Sequence, residues 1–325
     1  AYEIKECDWS SDVCSSDLAF LLDRLMGGVG LSGRSFIPLL SSFACAIPGI
    51  MATRTIADPR DRLVTIMIAP MMTCSARLPV YALLIGAFIP QRQVAGLELQ
   101  GLVLFALYVA GVAGALVVAW VLKRFTKQGR QVRSLMMELP SYHWPAPRNV
   151  AIGLWQRVVI FLRRVGGIIL VLTIAIWALA SFPAPPTGAT GAPIEYSLAG
   201  IIGRGLAVIF QPIGFNWQIS IALVPGLAAR EVAVSALGTV YALSATGADT
   251  AQALAPMIAR DWPLPTALSL IAWYVFAPQC ISTLAAVKRE TGGWKWTLVM
   301  AAYLFALAYA ASFITYRVSL ALLGA

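Results

Sequence analysis

Residues 69–81 read APMMTCSARLPVY and set a thiol and an arginine between two prolines, inside a stretch (63–91) with no other charged residue. Proline removes a backbone donor and interrupts a helix. A bilayer admits broken backbone only where protein or a water-filled cavity covers the freed polar groups. A soft metal ligand such as Cys74 at that kind of break is hard to explain by packing alone. The pattern recurs at Cys45 in FACAIPG (43–49) and at Cys280 in FAPQCISTLAAVKRE (276–290). Three such sites on separate segments read as the ion route of a membrane permease for a metal ion.

The rest of the chain fits an all-α, polytopic helical membrane protein. Of 325 residues, 59% are hydrophobic and 12% charged, where soluble domains carry about 25% charged residues. Residues 165–194, 262–287 and 296–316 carry no charge, and 93–122 carries only Glu98. A spanning helix takes about 20 apolar residues. The formal net charge of +9 does not point to nucleic acid, because no soluble domain is present to carry a basic face. Five basic residues lie between Lys123 and Arg133, and Lys288, Arg289 and Lys295 form a second group. Both flank apolar spans, as cytoplasmic loops do, which leaves the Lys/Arg-free loop 181–194 outside.

Enzyme chemistry is not indicated. There is no phosphate-binding G-x-x-x-x-G-K-[ST] loop and no H-E-x-x-H, and His143, the single histidine, lies in the proline-rich connector 134–150. No imidazole cage can form within the membrane. The five cysteines do not suggest a disulfide framework, since three of them fall inside apolar segments. Residues 1–18 are Ser/Asp-rich and aperiodic, and read either as an unstructured tail or as sequence foreign to the chain. On both readings Cys7 and Cys14 stand outside any site.

The remainder divides into two membrane halves, 19–150 and 151–325. A short interfacial helix is expected at 19–31, and broken segments at 35–56, 63–90 and 217–243. Spans are expected at 98–122, 158–180, 264–287 and 296–316, a borderline segment at 197–214, and a loop at 245–262. Whether 35–56 crosses or dips in and out is open from sequence. IPGIMA (47–52) with Arg54 behind it resembles VPGLAA (224–229) with Arg230 behind it. Paired Pro/Gly-interrupted segments in corresponding halves point to a binding site between transporter repeats. Pro48, Gly49, Pro225 and Gly226 are therefore expected as helix breaks lining the route.

The same segments resemble the bacterial ferrous iron transport protein B family, in its C-terminal membrane (Gate) domain. The likeness is carried by FLLDRLMGGVGLSGRSFIPLLSSFACAIPGIMATRTI (20–56), DRLVTIMIAPMMTCSARLPVYALLIGAFIP (61–90), MELPSYHWP (137–145), GLAAREVAVSALGTVY (226–241) and QCISTLAAVKRETGGWKW (279–296). The resemblance implies ferrous iron uptake across a bacterial inner membrane by a multi-pass protein. It also implies coupling to a cytoplasmic GTP-binding domain, with its GTP and Mg²⁺, and to first membrane helices that are absent here, so that the chain is expected to be a fragment. A small cytoplasmic accessory protein and a homo-oligomer are the partners it allows, besides the lipid bilayer.

Fe²⁺ accepts thiolate, imidazole and carboxylate ligands, and selectivity comes from geometry and ligand type. Cys45, Cys74 and Cys280 are the candidate pathway ligands; the family resemblance implies the same positions. The alternative for each is a small buried hydrophobe. Met51 and Met72 offer thioethers near the breaks, although methionine in an apolar helix is more often core filler. Glu231 is costly at mid-bilayer, by about 2.5–3.5 kcal/mol on insertion scales. It is expected to coordinate the ion, relay a proton, or pair with Arg230 or Arg77 to fix helix register. A Gate-type carrier for a nucleoside or other small solute is the competing function; such a site would want convergent Asn, Gln and acidic groups, which the membrane segments scarcely hold.

Overall fold

A computed structural model describes residues 24, 26–28, 30–94, 96–125, 146–183, 196–228, 230, 232–241, 249–278 and 280–323. The tail 1–18, most of the helix expected at 19–31, His143 and Glu231 lie outside these residues. The described fold is helical apart from one short antiparallel ribbon, β1 (Gln93–Val94) with β2 (Leu97–Glu98).

A 3-10 turn at Gly33–Ser35 leads into α1 (Phe36–Ser42), and three residues later α2 (Ala46–Ala52) begins. Gly49 of α2 faces back onto α1, where a Cβ would lie 1.9 Å from the Ser42 hydroxyl and 2.6 Å from the Pro38 carbonyl oxygen. The two helices thus form an antiparallel hairpin whose tip is 43–45. Each seven-residue arm is about 10 Å long, a third of a ~30 Å hydrocarbon core. Segment 35–56 therefore dips into the membrane and returns.

A 3-10 turn at Thr53–Thr55 closes the hairpin, and α3 (Pro59–Ile68) starts behind it. Asp58 caps α3 by accepting from the Arg60 amide at 2.7 Å, with Pro59 in the first turn where its missing N–H is harmless. After an interruption at 69–77, α4 (Leu78–Phe88) resumes the crossing, and α5 (Leu99–Phe125) returns. An ion pair between Asp61 and Lys123 sets the start of α3 beside the end of α5. This is the basic end of the molecule.

The second half repeats the plan from the opposite end. After α6 (Pro147–Ser181) and α7 (Leu198–Phe210), the chain bends by 103° through Gly214, at φ +83°, into α8 (Trp217–Ala228). A short break leads into α9 (Val232–Val240), and a Cβ on Gly226 of α8 would stand 3.3 Å from the Ala233 Cβ of α9. The second hairpin thus has its tip at Arg230. Its open ends meet the start of α11 (Leu264–Phe276): Trp262 Nε1 donates to the Tyr241 hydroxyl at 2.9 Å, and Thr266 Oγ1 to the Gly214 carbonyl at 3.0 Å. From there α11 and, after a break at 277–280, α12 (Ile281–Thr291) cross to the basic end, and α13 (Trp294–Leu323) goes back. Reciprocal bonds join α11 to α13, Ser312 Oγ to the Ser269 carbonyl at 2.9 Å and Ser269 Oγ to the Ser312 carbonyl at 3.2 Å. Small polar residues let membrane helices approach closely.

Hairpin, interrupted span and intact span thus occur twice with inverted direction: α1–α2, α3/α4, α5 from the basic end, and α8–α9, α11/α12, α13 from the far end. Among the described residues four stretches are long and apolar enough to cross a membrane, or five if the bent α7–α8 pair is one span. Two apolar cores result. One gathers α4, α8, α9 and α11 toward the far end, the other α1–α3, α5 and α12–α13 toward the basic end. Phe276, the last residue of α11, packs against both. The helix interruptions lie at the boundary between these cores.

Two expectations are corrected. The loop expected at 245–262 is, from residue 249, the helix α10 (Asp249–Asp261). Leu254, Ile258 and Trp262 recur every four residues and are buried in the far-end core, while Pro256, Met257 and Arg260 face outward; that spacing is the signature of a helix lying on a surface. The Pro-Gly pairs are not the breaks themselves. Pro48 is the third residue of α2, where few amides are needed, so the interruption precedes it at 43–45. Likewise α8 runs through Pro225 and Gly226 to Ala228 before it stops.

Candidate functional site

Four interruptions, at 43–45, at 69–77, at Arg230 and at Ala277-Pro278, meet in one layer because side chains tie them together. A helix end leaves its last carbonyls without intrahelical partners, and in a bilayer water cannot serve them. Arg77 answers this twice, donating from Nη1 to the Val275 carbonyl at 2.8 Å and from Nη2 to the Pro70 carbonyl at 3.2 Å. One guanidinium therefore joins the break in the first half to the break in the second. Arg230 forks onto the same helix end: Nη1 reaches the Tyr274 carbonyl at 3.2 Å, and Nη2 the Ala277 and Pro278 carbonyls at 2.6 and 2.5 Å. Its guanidinium also stands 5.6 Å from the Tyr274 ring centroid. Ser75 Oγ donates to the Ala44 carbonyl at 3.0 Å and ties the first hairpin tip to the layer.

Both arginines are buried, at 0% and 3% exposure. Arg77 does not snorkel to an interface, and neither side chain is a metal ligand. Their planar forks act as caps for broken helices, a task for which lysine is a poor substitute. The sequence signal was present: an arginine within seven residues of a proline inside an apolar span, where freed carbonyls need donors.

The three thiols occupy equivalent positions in this layer. Cys45 directly precedes α2, Cys74 directly precedes the 3-10 turn Ser75–Arg77, and Cys280 directly precedes α12. All three have ψ between 134° and 159°. Ala69-Pro70 stands four residues ahead of Cys74 and Ala277-Pro278 two ahead of Cys280, so both interrupted spans set an Ala-Pro pair before the thiol. Cys74 is buried, Cys45 and Cys280 are half-buried, and none is in a disulfide. The Cys280 sulfur is 3.4 Å from the Thr283 hydroxyl.

Around Cys74 several buried polar atoms are under-used. The Thr73 hydroxyl and the Nε atoms of Arg77 and Arg230 lack partners among the described residues, and the Tyr81 hydroxyl sits beside Arg77 without a well-formed hydrogen bond. Gly111 of α5 permits the approach to Thr73, since a Cβ there would be 3.0 Å from its hydroxyl. A cavity of about 190 Å³ opens beside Arg230, between Gly226, Tyr274, Ala277 and Pro278. Among the described residues no three His, Cys, Asp or Glu side chains are gathered closely enough to hold a metal ion. Met72 is buried at the break, whereas Met51 is 42% exposed on α2.

One carboxylate that sequence reading passed over stands out at the basic end. Glu290 on α12 is clamped by Arg54 and Arg62, with side chains from three elements meeting at 2.5–3.2 Å. Arg54, which follows the IPGIMA stretch, has its partner here rather than in the membrane interior.

Comparison with known proteins matches residues 16–88 and 162–294 to the family described as Nucleoside recognition (Gate), and residues 104–157 to Ferrous iron transport protein B C terminus. The Fe(2+) transporter FeoB of Leptospira interrogans serogroup Icterohaemorrhagiae serovar copenhageni is 39% identical over 319 residues, covering 92% of this chain and 45% of that protein. Its counterpart in Campylobacter jejuni is 35% identical over 314 residues, covering 95% and 50%. A Fe(2+) transport protein A/Fe(2+) transporter FeoB fusion protein of Porphyromonas gingivalis is 36% identical over 342 residues, covering 93% and 40%. The chain spans about half the length of the curated relatives it matches. No solved structure matches. With both profiles falling on one continuous inverted-repeat architecture, the chain belongs to the Gate (nucleoside recognition) family, in the branch that carries the ferrous iron transport protein B C terminus.

Proposed function

We propose that this chain is the membrane permease part of a ferrous iron uptake transporter, with Fe²⁺ as the transported substrate. The observation that carries the reading is the placement of Cys45, Cys74 and Cys280 directly ahead of three restarting segments in one cross-linked layer. Thiolate suits a borderline cation better than the hydroxyls and carbonyls around it. A route also needs incomplete, multiple sites so that the ion can leave, and three thiols on three separate segments offer such sites. Met72 and Glu231 are further contacts on the path, and Met51 an accessory one. Gly49 and Gly226 serve it by letting the arms of the two hairpins close, with Pro48 and Pro225 directly ahead of them.

The basic end, with Lys123, Arg124, Lys288, Arg289 and Lys295, faces the cytoplasm under the positive-inside rule, in a bacterial inner membrane. A GTP-binding domain, with GTP and Mg²⁺, would act from that side, in the half of such proteins that this chain does not span. The Porphyromonas fusion name supports a small accessory protein as a partner on the same face.

The test uses the full-length transporter that contains this region. C45S/C74S/C280S should lower ferrous iron uptake by at least about tenfold, the order seen when groups that orient a metal are lost, with the protein still in the membrane. Undiminished uptake rejects the thiol route. Uridine uptake without an iron response would establish the nucleoside-type carrier instead.

A further inference from the structure

The ion cluster at the basic end and the thiols at mid-depth are the two ends of the same pair of helices. From Cys45 the chain runs through α2 and the turn Thr53–Thr55 to Arg54; from Cys280 it runs through α12 to Glu290. The two paths pack side by side. They point the same way, since both begin in the layer of interruptions and both end at the clamp. Seven α-helical and two 3-10 residues lead to Arg54, and ten α-helical residues to Glu290, so each path rises about 15 Å. With their far ends pinned together, the two cysteines therefore come to one depth, on neighbouring helices whose axes are roughly 8–10 Å apart.

The clamp is built to fix that register. Glu290 accepts from Arg54 Nε at 2.9 Å and Nη2 at 2.5 Å, and from Arg62 Nη2 at 2.9 Å. The carboxylate is 4% exposed while Arg54 is 51% exposed, so the acid is the enclosed partner and the arginines close over it. Arg54 and Arg62 belong to the first repeat and Glu290 to the second. Together with Asp61–Lys123, which joins α3 to α5 inside the first repeat, these are the ion pairs among the described residues. Beyond the clamp, Gly292 at φ +71° turns the chain sharply into α13, so α12 cannot slide without disturbing that turn.

We propose that Glu290 is a positioning residue: clamped by Arg54 and Arg62, it fixes α2 against α12 and holds the Cys45 and Cys280 thiols level, where both act on one soft metal ion. This rests on the thiol-route reading for its purpose, but not for its geometry. The experiment is cross-linking in membranes, on the chain carrying C7S, C14S and C74S, with a short bifunctional methanethiosulfonate. The parent should give an intramolecular Cys45–Cys280 product, absent in C45S. E290Q should slow its formation about fivefold, the order of shift that loss of an ion pair produces in a two-state equilibrium. E290D keeps the carboxylate and should recover most of the rate, which separates loosened register from misfolding. No product in the parent, or an unchanged rate in E290Q, overturns the proposal. Glu290-dependent cross-linking together with undiminished iron uptake in the triple serine variant would leave the register standing and remove the thiol route.

Discussion

Gly49→Ala probes the hairpin that carries Cys45. The new Cβ would lie 1.9 Å from the Ser42 hydroxyl, 3.0 Å from the Ser42 Cβ and 2.6 Å from the Pro38 carbonyl oxygen. The hydroxyl can rotate away, at the loss of its 2.8 Å bond to that carbonyl. The carbonyl belongs to the backbone and cannot. The arms α1 and α2 must separate by roughly 0.7 Å before carbon and oxygen reach ordinary van der Waals contact. Overpacking of this kind costs ~1–3 kcal/mol, against about 1 kcal/mol of helix propensity in favour of alanine. A net loss of up to about 2 kcal/mol falls on the tip, where Ser75 holds the Ala44 carbonyl. The assay is maleimide labelling of Cys45 in a chain without other thiols. Labelling should accelerate about 5- to 30-fold for 1–2 kcal/mol of local opening. Gly86→Ala is the control, because nothing stands within 4 Å of its Cβ position; it should label at the parental rate. Equal rates for the two alanine variants would refute the hairpin packing.

Leu254→Ala should destabilise the chain by about 2–5 kcal/mol, as for other fully buried leucines, measured by thermal unfolding in detergent; a neutral result would mean that α10 is not docked on α4. Arg230→Lys should also destabilise, because an ammonium cannot span the Tyr274, Ala277 and Pro278 carbonyls at once. Each charged hydrogen bond lost is worth about 1.5–3 kcal/mol, and unaltered unfolding would show that the fork is dispensable.

Much of the fold was legible from charge-free runs and prolines. Spans at 98–122, 264–287 and 296–316 needed only length and apolarity, and α5, α11/α12 and α13 follow them. The dip of 35–56 was not legible, since its proof is the contact between Gly49 and Pro38, which depends on the partner arm. Helix α10 escaped because its Ala/Pro-rich polar face resembles a loop when Leu254, Ile258 and Trp262 are not read at a spacing of four. The break positions were displaced from the Pro-Gly pairs because proline is tolerated in a first turn, as Pro48 is. At the site, the cysteines could be named from their neighbours in sequence. An arginine close to a proline in an apolar span marks Arg77 and Arg230 as donors, but most of the carbonyls they cap, and the partners of Glu290, stand 44 to 236 positions away, and no local pattern announces those.

Because each of the four central elements is interrupted at the same level, the helical hydrogen-bond ladders are discontinuous in that one layer. An uninterrupted helix resists bending with its whole ladder of internal bonds. Here the halves of α3/α4 and α11/α12 articulate with only a few side-chain links, those of Ser75, Arg77 and Arg230, to yield. Two apolar blocks stacked above and below such a seam can tilt against each other while each keeps its own packing. Any such movement is thereby confined to the layer that holds Cys45, Cys74 and Cys280.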